Sequence, residues 1–421
     1  MQKLTILFIF LLSISTLFAG VDSLLSLQKF QSEEKKVEYI LEVCFKNRSV
    51  NVPLALESGH RAYDLAKKIN NSHYIARSCN MLSVVYRGLG NFEKALGYGI
   101  QAVSVSDNAK DTVQLGFANN NIGHIYRLKG FLDKSLQHTL SSYYFFKSQK
   151  HNEGMAFSAI NLGYIYIWMS NPKEAIPYFQ ESSDIRRQMG DLPGEAVSVY
   201  GLANAYAGVR EFHTALNIYN NLLQRYDTLK FNAINPGHLY SSIGKVYRET
   251  KQIDSAIQYF IKAVNETEFT GNLSDRFVYA IPVIDMLDSL KRFEESDRLI
   301  KRLLPLAKDL RDLPTLSTFY KSVQNHYSLT GNIKIAYKYA DLRSVINDSI
   351  TQQVKRESLE SMSLVFDNFR IYEENQVLQS TILERPTSNW FELLMVLFLV
   401  ITIVLLYFKL RRTAKKQNVV L

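Results

Sequence analysis

The chain has 421 residues, of which 47% are apolar, so it can bury a large hydrophobic core. Glycine and proline number only 19 and 9, which excludes collagen-like and low-complexity classes. The formal net charge of +9 first suggests nucleic acid as a partner. Two cysteines, Cys44 and Cys79, are too few for a disulfide-rich scaffold or a four-cysteine zinc site.

The first twenty residues have the layout of a secretory signal peptide. Lys3 precedes an apolar run over residues 4–18, and small residues follow at Ala19 and Gly20. The small residue that usually lies three places before a cleavage site is missing, so the position of the cut stays open. We therefore expect residues 1–20 to direct the rest of the chain out of the cytoplasm.

A second apolar run, over residues 389–408, is predicted to span a membrane. It contains one charge, Glu392, and at ~1.5 Å per residue it is just long enough for a hydrocarbon core of roughly 30 Å. A buried core helix is the alternative. The basic residues that follow in the tail 409–421 are Lys409, Arg411, Arg412, Lys415 and Lys416. By the positive-inside rule this flank places the tail in the cytoplasm, so much of the positive charge orients the chain and no nucleic-acid partner is expected.

Residues 21–348 carry an internal repeat of about 40 residues. The small or short residues that mark its register are Val43, Ser83, Gly123, Gly163, Ala203, Gly244, Ile284 and Gln324. Three residues after the marker a tyrosine occurs in six of the eight units, and twelve residues after it alanine or serine occurs in all eight. Apolar residues recur at helical spacing on both sides of breaks such as Gly90-Asn91 and Asn171-Pro172. The pattern predicts an all-α solenoid of about eight helix-turn-helix units.

The motif Leu162-Gly163-x-x-Tyr166 … Ala175-x-x-x-Phe179 resembles the tetratricopeptide repeat, and the resemblance extends over residues 36–348. The period of 40 residues is longer than the usual 34 of that family, which implies longer helices or turns. The first unit lacks the leucine and the tyrosine, and we interpret it as a cap. The resemblance implies a scaffold that binds a protein or peptide.

A long helix is predicted to follow the last unit. Asp348 is placed to cap it, and the apolar residues of segment 349–388 only loosely keep a seven-residue phase. A coiled coil that forms a homodimer and a helix that caps the solenoid both fit this pattern. Pro386 then breaks the chain before the predicted transmembrane helix.

This order of parts resembles a class of Gram-negative sensors with a periplasmic tetratricopeptide array and a single span in the inner membrane. In that class a histidine kinase or a DNA-binding helix-turn-helix domain normally follows the basic stub. The sequence given ends at Leu421 without such a domain. We therefore expect a membrane-anchored scaffold in signalling or envelope assembly, and the alternative is a sensor half whose output domain is lost or encoded separately.

The sequence contains no phosphate loop of the Gly-Lys-Ser/Thr kind, no His-Glu-x-x-His and no Gly-x-Ser-x-Gly. Its eight histidines are scattered, without a pair at metal-ligand spacing. We therefore expect no enzymatic activity, no cofactor and no metal. Cys44 and Cys79 lie in the first helices of adjacent units. The sequence is compatible with a disulfide between them and with two separate buried thiols.

In the family that the chain resembles, the first helices of successive units line a concave groove for partner peptides. Groove positions transfer to Arg77, Asn80, Arg87, Asn120, His124, Arg127, Phe157, Tyr164, Trp168, Tyr200, Asn204, Lys245 and Arg248. Asn121 and Asn161 lie just inside these rows and are expected to hydrogen-bond an extended peptide backbone. The mixture of amide, aromatic and basic groups favours a peptide of acidic character, and an ordinary solvated face is the alternative.

Overall fold

The computed structural model describes residues 21–26, 28–229, 234–270 and 272–356, and every regular element in these ranges is helical. The chain divides into two units, Met1–Asp348 and Ser349–Leu421. In the second unit the described residues, 349–356, are helical. The residues before Asp348 are helical as well, so the prediction that Asp348 caps the start of a helix is wrong.

Several predicted segments lie outside the described residues. They are the signal peptide, the transmembrane segment 389–408, the cytoplasmic tail and most of the juxtamembrane segment. Among the helices that the structure does describe, none combines the length and the apolar character needed to cross a membrane.

The first unit is a succession of eight helix pairs, which confirms the predicted solenoid. A short helix, α1 (Val21–Ser26), precedes the pairs. The first or A helices of the pairs are α2 (Glu33–Asn47), α4 (Ser72–Gly88), α6 (Thr112–Leu128), α8 (Asn152–Trp168), α10 (Leu192–Gly208), α12 (Pro236–Glu249), α14 (Leu273–Ser289) and α16 (Leu313–Leu329). The second or B helices are α3 (Val52–Lys68), α5 (Phe92–Asn108), α7 (Leu132–Ser148), α9 (Pro172–Gln188), α11 (Phe212–Leu229), α13 (Ile253–Thr270), α15 (Phe293–Leu303) with a 3-10 turn (Leu304–Asp309), and α17 (333–348).

Most helices end on a residue in the left-handed region. Glycine occupies this place at Gly90 (φ 72°), but Lys110 (φ 56°) and Ser170 (φ 57°) hold the same conformation with a side chain. The next residue begins the following helix: the side chain of Asn91 accepts a hydrogen bond from the backbone N–H of Lys94 at 3.0 Å. The same left-handed residue followed by a side-chain cap recurs at Lys110-Asp111 and Lys150-His151, whereas Phe131 and Asn171 precede their helices without a side-chain hydrogen bond.

The small marker residues allow neighbouring helices to approach closely. A Cβ added at the marker Gly163 would lie 2.8 Å from the Phe179 ring, and one added at the marker Gly123 would lie 2.3 Å from Thr139 Oγ1. Serine fills the marker place in unit 2, where Ser83 Oγ donates to the carbonyl of Ala95 at 2.7 Å. The marker is small because a side chain of helix B, or its backbone, occupies the adjacent space.

The repeated tyrosine packs against an aromatic residue of the B helix in the same unit. Stacked ring pairs recur in four units: Tyr86 with Tyr98, Tyr166 with Tyr178, Tyr247 with Tyr259, and Tyr327 with Tyr339. Their ring centroids lie between 5.3 and 6.3 Å apart. These contacts confirm that the tyrosines pack within the units.

The A helices of neighbouring units pack side by side. Direct packing joins α2 to α4, α4 to α6, α6 to α8, α8 to α10 and α14 to α16. Successive B helices do not approach one another to this extent in the part of the chain that the structure describes. The A helices therefore form the inner row of the array.

Both cysteines are buried free thiols. Burial raises the pKa of Cys44 to about 12, and burial likewise raises the pKa of Cys79 to about 12. The neutral thiol form is therefore favoured at both positions. The sequence was compatible with a disulfide and with two buried thiols, and the structure has two buried thiols.

Candidate functional site

The predicted groove residues all lie on the A helices, and we call the surface that they form the A-helix face. The structure separates them into residues whose polar groups are used between helices and residues whose groups are free for a ligand. Residues of the first kind position residues of the second kind.

A ladder of amide side chains joins successive A helices. Asn80 Nδ2 donates to the backbone carbonyl of Gln114 at 3.0 Å, and Asn121 Nδ2 donates to the carbonyl of Asn80 at 3.3 Å. Asn161 Nδ2 donates to Asn120 Oδ1 at 3.1 Å. The donors that we expected to meet a peptide backbone are thus directed at neighbouring helices, where they fix the spacing of units 2 to 4.

Several aromatic residues of the predicted set also contribute to packing. Tyr164 meets the buried Phe179 ring edge-on at 5.0 Å. The Phe157 ring lies under the guanidinium of Arg186, 4.7 Å from its carbon. Trp168 differs, because 51% of its surface is exposed at the end of α8.

In unit 5 two predicted residues are hydrogen-bonded to neighbouring elements. The Tyr200 hydroxyl lies 3.0 Å from Ser242 Oγ of unit 6. The Asn204 amide oxygen accepts a hydrogen bond from the Tyr219 hydroxyl at 2.7 Å. This part of the A-helix face is therefore held by its own side chains.

Three arginines follow one another at the ends of the first three A helices, and we call Arg48, Arg87 and Arg127 the arginine row. Arg87 lies between the other two, because the charges of both Arg127 and Arg48 act on it. Burial and these two like charges lower the pKa of Arg87 to about 10. None of the three has a carboxylate within ion-pair distance in the described part of the chain.

Arg127 is only 7% exposed, and its Nε has no hydrogen-bond partner. Its guanidinium donates to His124 Nε2 at 2.7 Å and lies 5.5 Å from the ring centres of both Tyr164 and Trp168. Arg186 is equally buried and its Nε also has no partner, yet its guanidinium is paired with the Asp191 carboxylate at 2.5 Å. A buried cation normally has such a partner, so the environment of Arg127 is incomplete.

His124 is kept neutral by its surroundings. Burial, together with the charges of Arg87 and Arg127, holds the pKa of this imidazole well below its usual range. The neutral ring can accept the hydrogen bond from Arg127 without adding a charge. The His124 ring therefore orients the Arg127 guanidinium but does not neutralise its positive charge.

The cations of unit 6 are in a different environment. Lys245 and Arg248 are exposed, and the Arg248 charge acts on the Asp285 carboxyl of unit 7. Burial raises the pKa of Asp285, although a hydrogen bond from Ser322 opposes the shift. Next to it Asp288 accepts from the buried His326 at 2.8 Å. Acidic groups therefore share this end of the face.

Asp285 and Asp288 were missed by the sequence reasoning. They occupy the ninth and twelfth positions of unit 7, the same positions as Lys245 and Arg248 in unit 6. The repeat register was the signal that could have found them. The sequence-based set ended at unit 6 and so overestimated how uniformly basic the face is.

Arg77 lies apart from the arginine row. It lines a cleft at the start of the array together with residues of unit 1, including Glu38 and Tyr39. The structure thus brings together Arg87, His124, Arg127, Tyr164 and Trp168, and it leaves Arg77 outside that group.

Comparison with family models identifies tetratricopeptide repeats in this chain, at residues 75–106, 154–228 and 237–268. The mouse protein named tetratricopeptide repeat protein 21A is 22% identical over 205 residues. That match covers 46% of this chain and 14% of the mouse protein, so the chain spans only a small part of that relative.

Two solved structures show the same fold at low sequence identity. A signal-transduction ATPase with a tetratricopeptide repeat sensor, from Pyrococcus horikoshii, has a TM-score of 0.56 at 14% identity, covering 77% of this chain and 55% of that one. The apo form of the quorum sensor NprR from B. thuringiensis has a TM-score of 0.50 at 13% identity, covering 75% of this chain and 99% of that one.

Proposed function

We propose that this protein is a membrane-anchored, extracytoplasmic scaffold that binds a protein or peptide partner on its A-helix face. The arginine row carries the proposal, because two partly buried cations and one nearly fully buried cation face one another without a carboxylate. Such an arrangement stores unfavourable electrostatic energy that an acidic partner relieves. The exposed ring of Trp168 beside the row adds an apolar surface of the kind that partners contact.

The tetratricopeptide repeats support a binding role, and the fold shared with two sensors is compatible with signalling. Export by residues 1–20 and anchoring by residues 389–408 belong to the proposal on the strength of the sequence pattern. We further propose that the chain is not an enzyme and needs no cofactor. The second candidate, a sensor half whose output domain is encoded separately, uses the same face and the same anchor.

Photo-crosslinking in cells tests the binding face. We would place a benzophenone amino acid at Trp168, which is 51% exposed on the A-helix face, and at Tyr144, which is 60% exposed on the B helix α7. The proposal predicts a discrete crosslinked partner from position 168 and none from position 144. Equal capture at both positions, or capture from position 144 alone, would contradict the assignment of the face.

The proposed topology has its own test. Alkaline phosphatase is active only outside the cytoplasm, and green fluorescent protein exported through the general secretory pathway is dark. Fusions after Leu421 should therefore fluoresce and lack phosphatase activity. A phosphatase-active, dark C-terminus would contradict the predicted orientation.

A further inference from the structure

The arginine row has a spacing that limits what can bind it. Arg48, Arg87 and Arg127 come from α2, α4 and α6, and each of these A helices packs directly on the next. Packed helices have axes about 8–10 Å apart. Arg87 and Arg127 occupy the same repeat position on neighbouring helices, so their guanidiniums follow this spacing. Arg48 lies one position later, and its guanidinium donates to the Phe45 carbonyl at 2.5 Å and lies 3.8 Å from the centre of the Phe45 ring.

An extended peptide in the polyproline II conformation matches this repeat. It has three residues per turn and rises ~3.1 Å per residue, so every third side chain lies on one face, about 9 Å from the next. In a β-strand every second side chain shares a face at roughly 6.6 Å, which does not match. Two carboxylates three residues apart in a polyproline II segment would therefore meet Arg87 and Arg127 in turn.

We propose that the arginine row binds an acidic segment in the polyproline II conformation, with one side-chain carboxylate on Arg87 of unit 2 and the next on Arg127 of unit 3. This inference rests on the proposed function and names the chemistry of the partner. Guanidinium groups bind carboxylates through two parallel hydrogen bonds, and the partner's carboxylate supplies the acceptor that Arg127 lacks. The rings of Tyr164 and Trp168 continue the row into unit 4, where proline rings of the ligand can pack.

Favourable interactions of these arginines with the negative ends of the helix dipoles do not explain why the three cations lie together and why Arg127 is buried. A cation in the last turn of a helix is favoured by about 0.3–1 kcal/mol near a surface. That gain does not require burial, yet Arg127 is 7% exposed and lies beside the positive charge of Arg87. Arg248 of unit 6 and Lys321 of unit 8 both act on the Asp285 carboxyl of the A helix α14, whereas the arginine row has no carboxylate within ion-pair distance among the described residues.

Binding of defined probes to the full chain, purified in detergent micelles, tests the inference by fluorescence anisotropy. The main probe is fluorescein-(Glu-Pro-Pro)3 with an amidated C-terminus. An isomer with three glutamates followed by six prolines keeps the charge and changes the spacing. The peptide (Gln-Pro-Pro)3 with a free C-terminus tests a terminal carboxylate as the source of the anion.

We expect the period-three probe to bind at least ten times more tightly than its block isomer, and (Gln-Pro-Pro)3 not to bind. Arg87→Gln and Arg127→Gln should each weaken the period-three probe at least tenfold. Arg298→Gln is the matched control, because Arg298 is exposed on the B helix α15, and it should leave the affinity unchanged. Circular dichroism checks that each variant is folded.

Three results would overturn the inference. Equal affinity for the two glutamate isomers would remove the spacing argument, and binding of (Gln-Pro-Pro)3 would assign the site to a chain terminus. Unchanged affinity in folded Arg48→Gln and Arg87→Gln variants would remove the row, even if Arg127→Gln failed to fold. Failure here, with crosslinking from position 168 intact, leaves the proposed binding face standing.

Discussion

Phe179 packs between two glycines, and this packing predicts that Gly163→Ala changes the free energy of unfolding in opposite directions with and without the Phe179 ring. Phe179 is fully buried in helix α9, and its ring fills the space that side chains at Gly163 in α8 and Gly201 in α10 would need. Gly163→Ala places a Cβ 2.8 Å from this ring. The same substitution in a Phe179→Ala background meets an empty space instead.

The expected free energies follow from that geometry. Phe179→Ala should lower the free energy of unfolding by about 3–5 kcal/mol, the usual cost of removing a buried ring. Gly163→Ala adds about 1–3 kcal/mol of overpacking and recovers about 1 kcal/mol of helix propensity, so we expect a net loss. Without the Phe179 ring only the propensity remains, and the same change should stabilise by about 1 kcal/mol.

Urea unfolding followed by tryptophan fluorescence measures these values. Trp168 lies in the same helix as Gly163, and a Trp390→Phe background removes the second of the two tryptophans. Phe131→Ala is the control, because this ring is 40% exposed and its loss should cost less than about 1 kcal/mol. Equal effects of Gly163→Ala in the two backgrounds would refute the packing described here.

Three further predictions concern the turns, a histidine and the thiols. Lys110→Gly should raise the free energy of unfolding by about 1 kcal/mol, because Lys110 has a φ of 56° at a helix end. Lys94→Gly inside α5 should lower it by a similar amount. The shifts of the urea midpoints measure both signs. The pKa of His124 is held well below its usual range in the folded chain. Below about pH 6.5 the unfolded chain therefore binds a proton at this imidazole that the folded chain does not bind. As the pH is lowered from there, the free energy of unfolding should decrease by up to ~1.4 kcal/mol per pH unit. His124→Gln should flatten this slope, and an unchanged slope would contradict the assignment. Cys44 and Cys79, whose pKa values are raised to about 12, should resist a thiol reagent at pH 8 and react fully in urea; rapid reaction in the folded chain would contradict their burial.

The fold was predictable because the repeat imposes the same packing eight times. Small markers such as Gly123 and Gly163 recur in phase in the middle units, and a Cβ added at either would lie under 3 Å from a side chain of helix B. The breaks were visible where glycine supplies the left-handed residue, as at Gly90. They were less visible at Lys110 and Lys150, because there the left-handed residue carries a side chain and its type does not announce the conformation.

The candidate site was predictable only in part. The register placed Arg87 and Arg127 on the A-helix face, where the structure has them. It could not separate Asn80 and Asn161 from a ligand-facing row, because one A helix reaches the next at a distance that depends on the stacking of whole units. Arg48 occupies the thirteenth position of unit 1, the position that Trp168 has in unit 4, and it was missed because the transfer of groove positions began at unit 2.

Mapping a photo-crosslinked peptide tests the central claim most directly. The period-three glutamate probe with an N-terminal benzophenone would be irradiated with the full chain, and the modified peptides identified by mass spectrometry. A partner on the A-helix face predicts adducts within Ser72–Gly88, Thr112–Leu128 and Asn152–Trp168, all suppressed by excess unlabelled probe. Adducts confined to the B helices α5, α7 and α9 would contradict it.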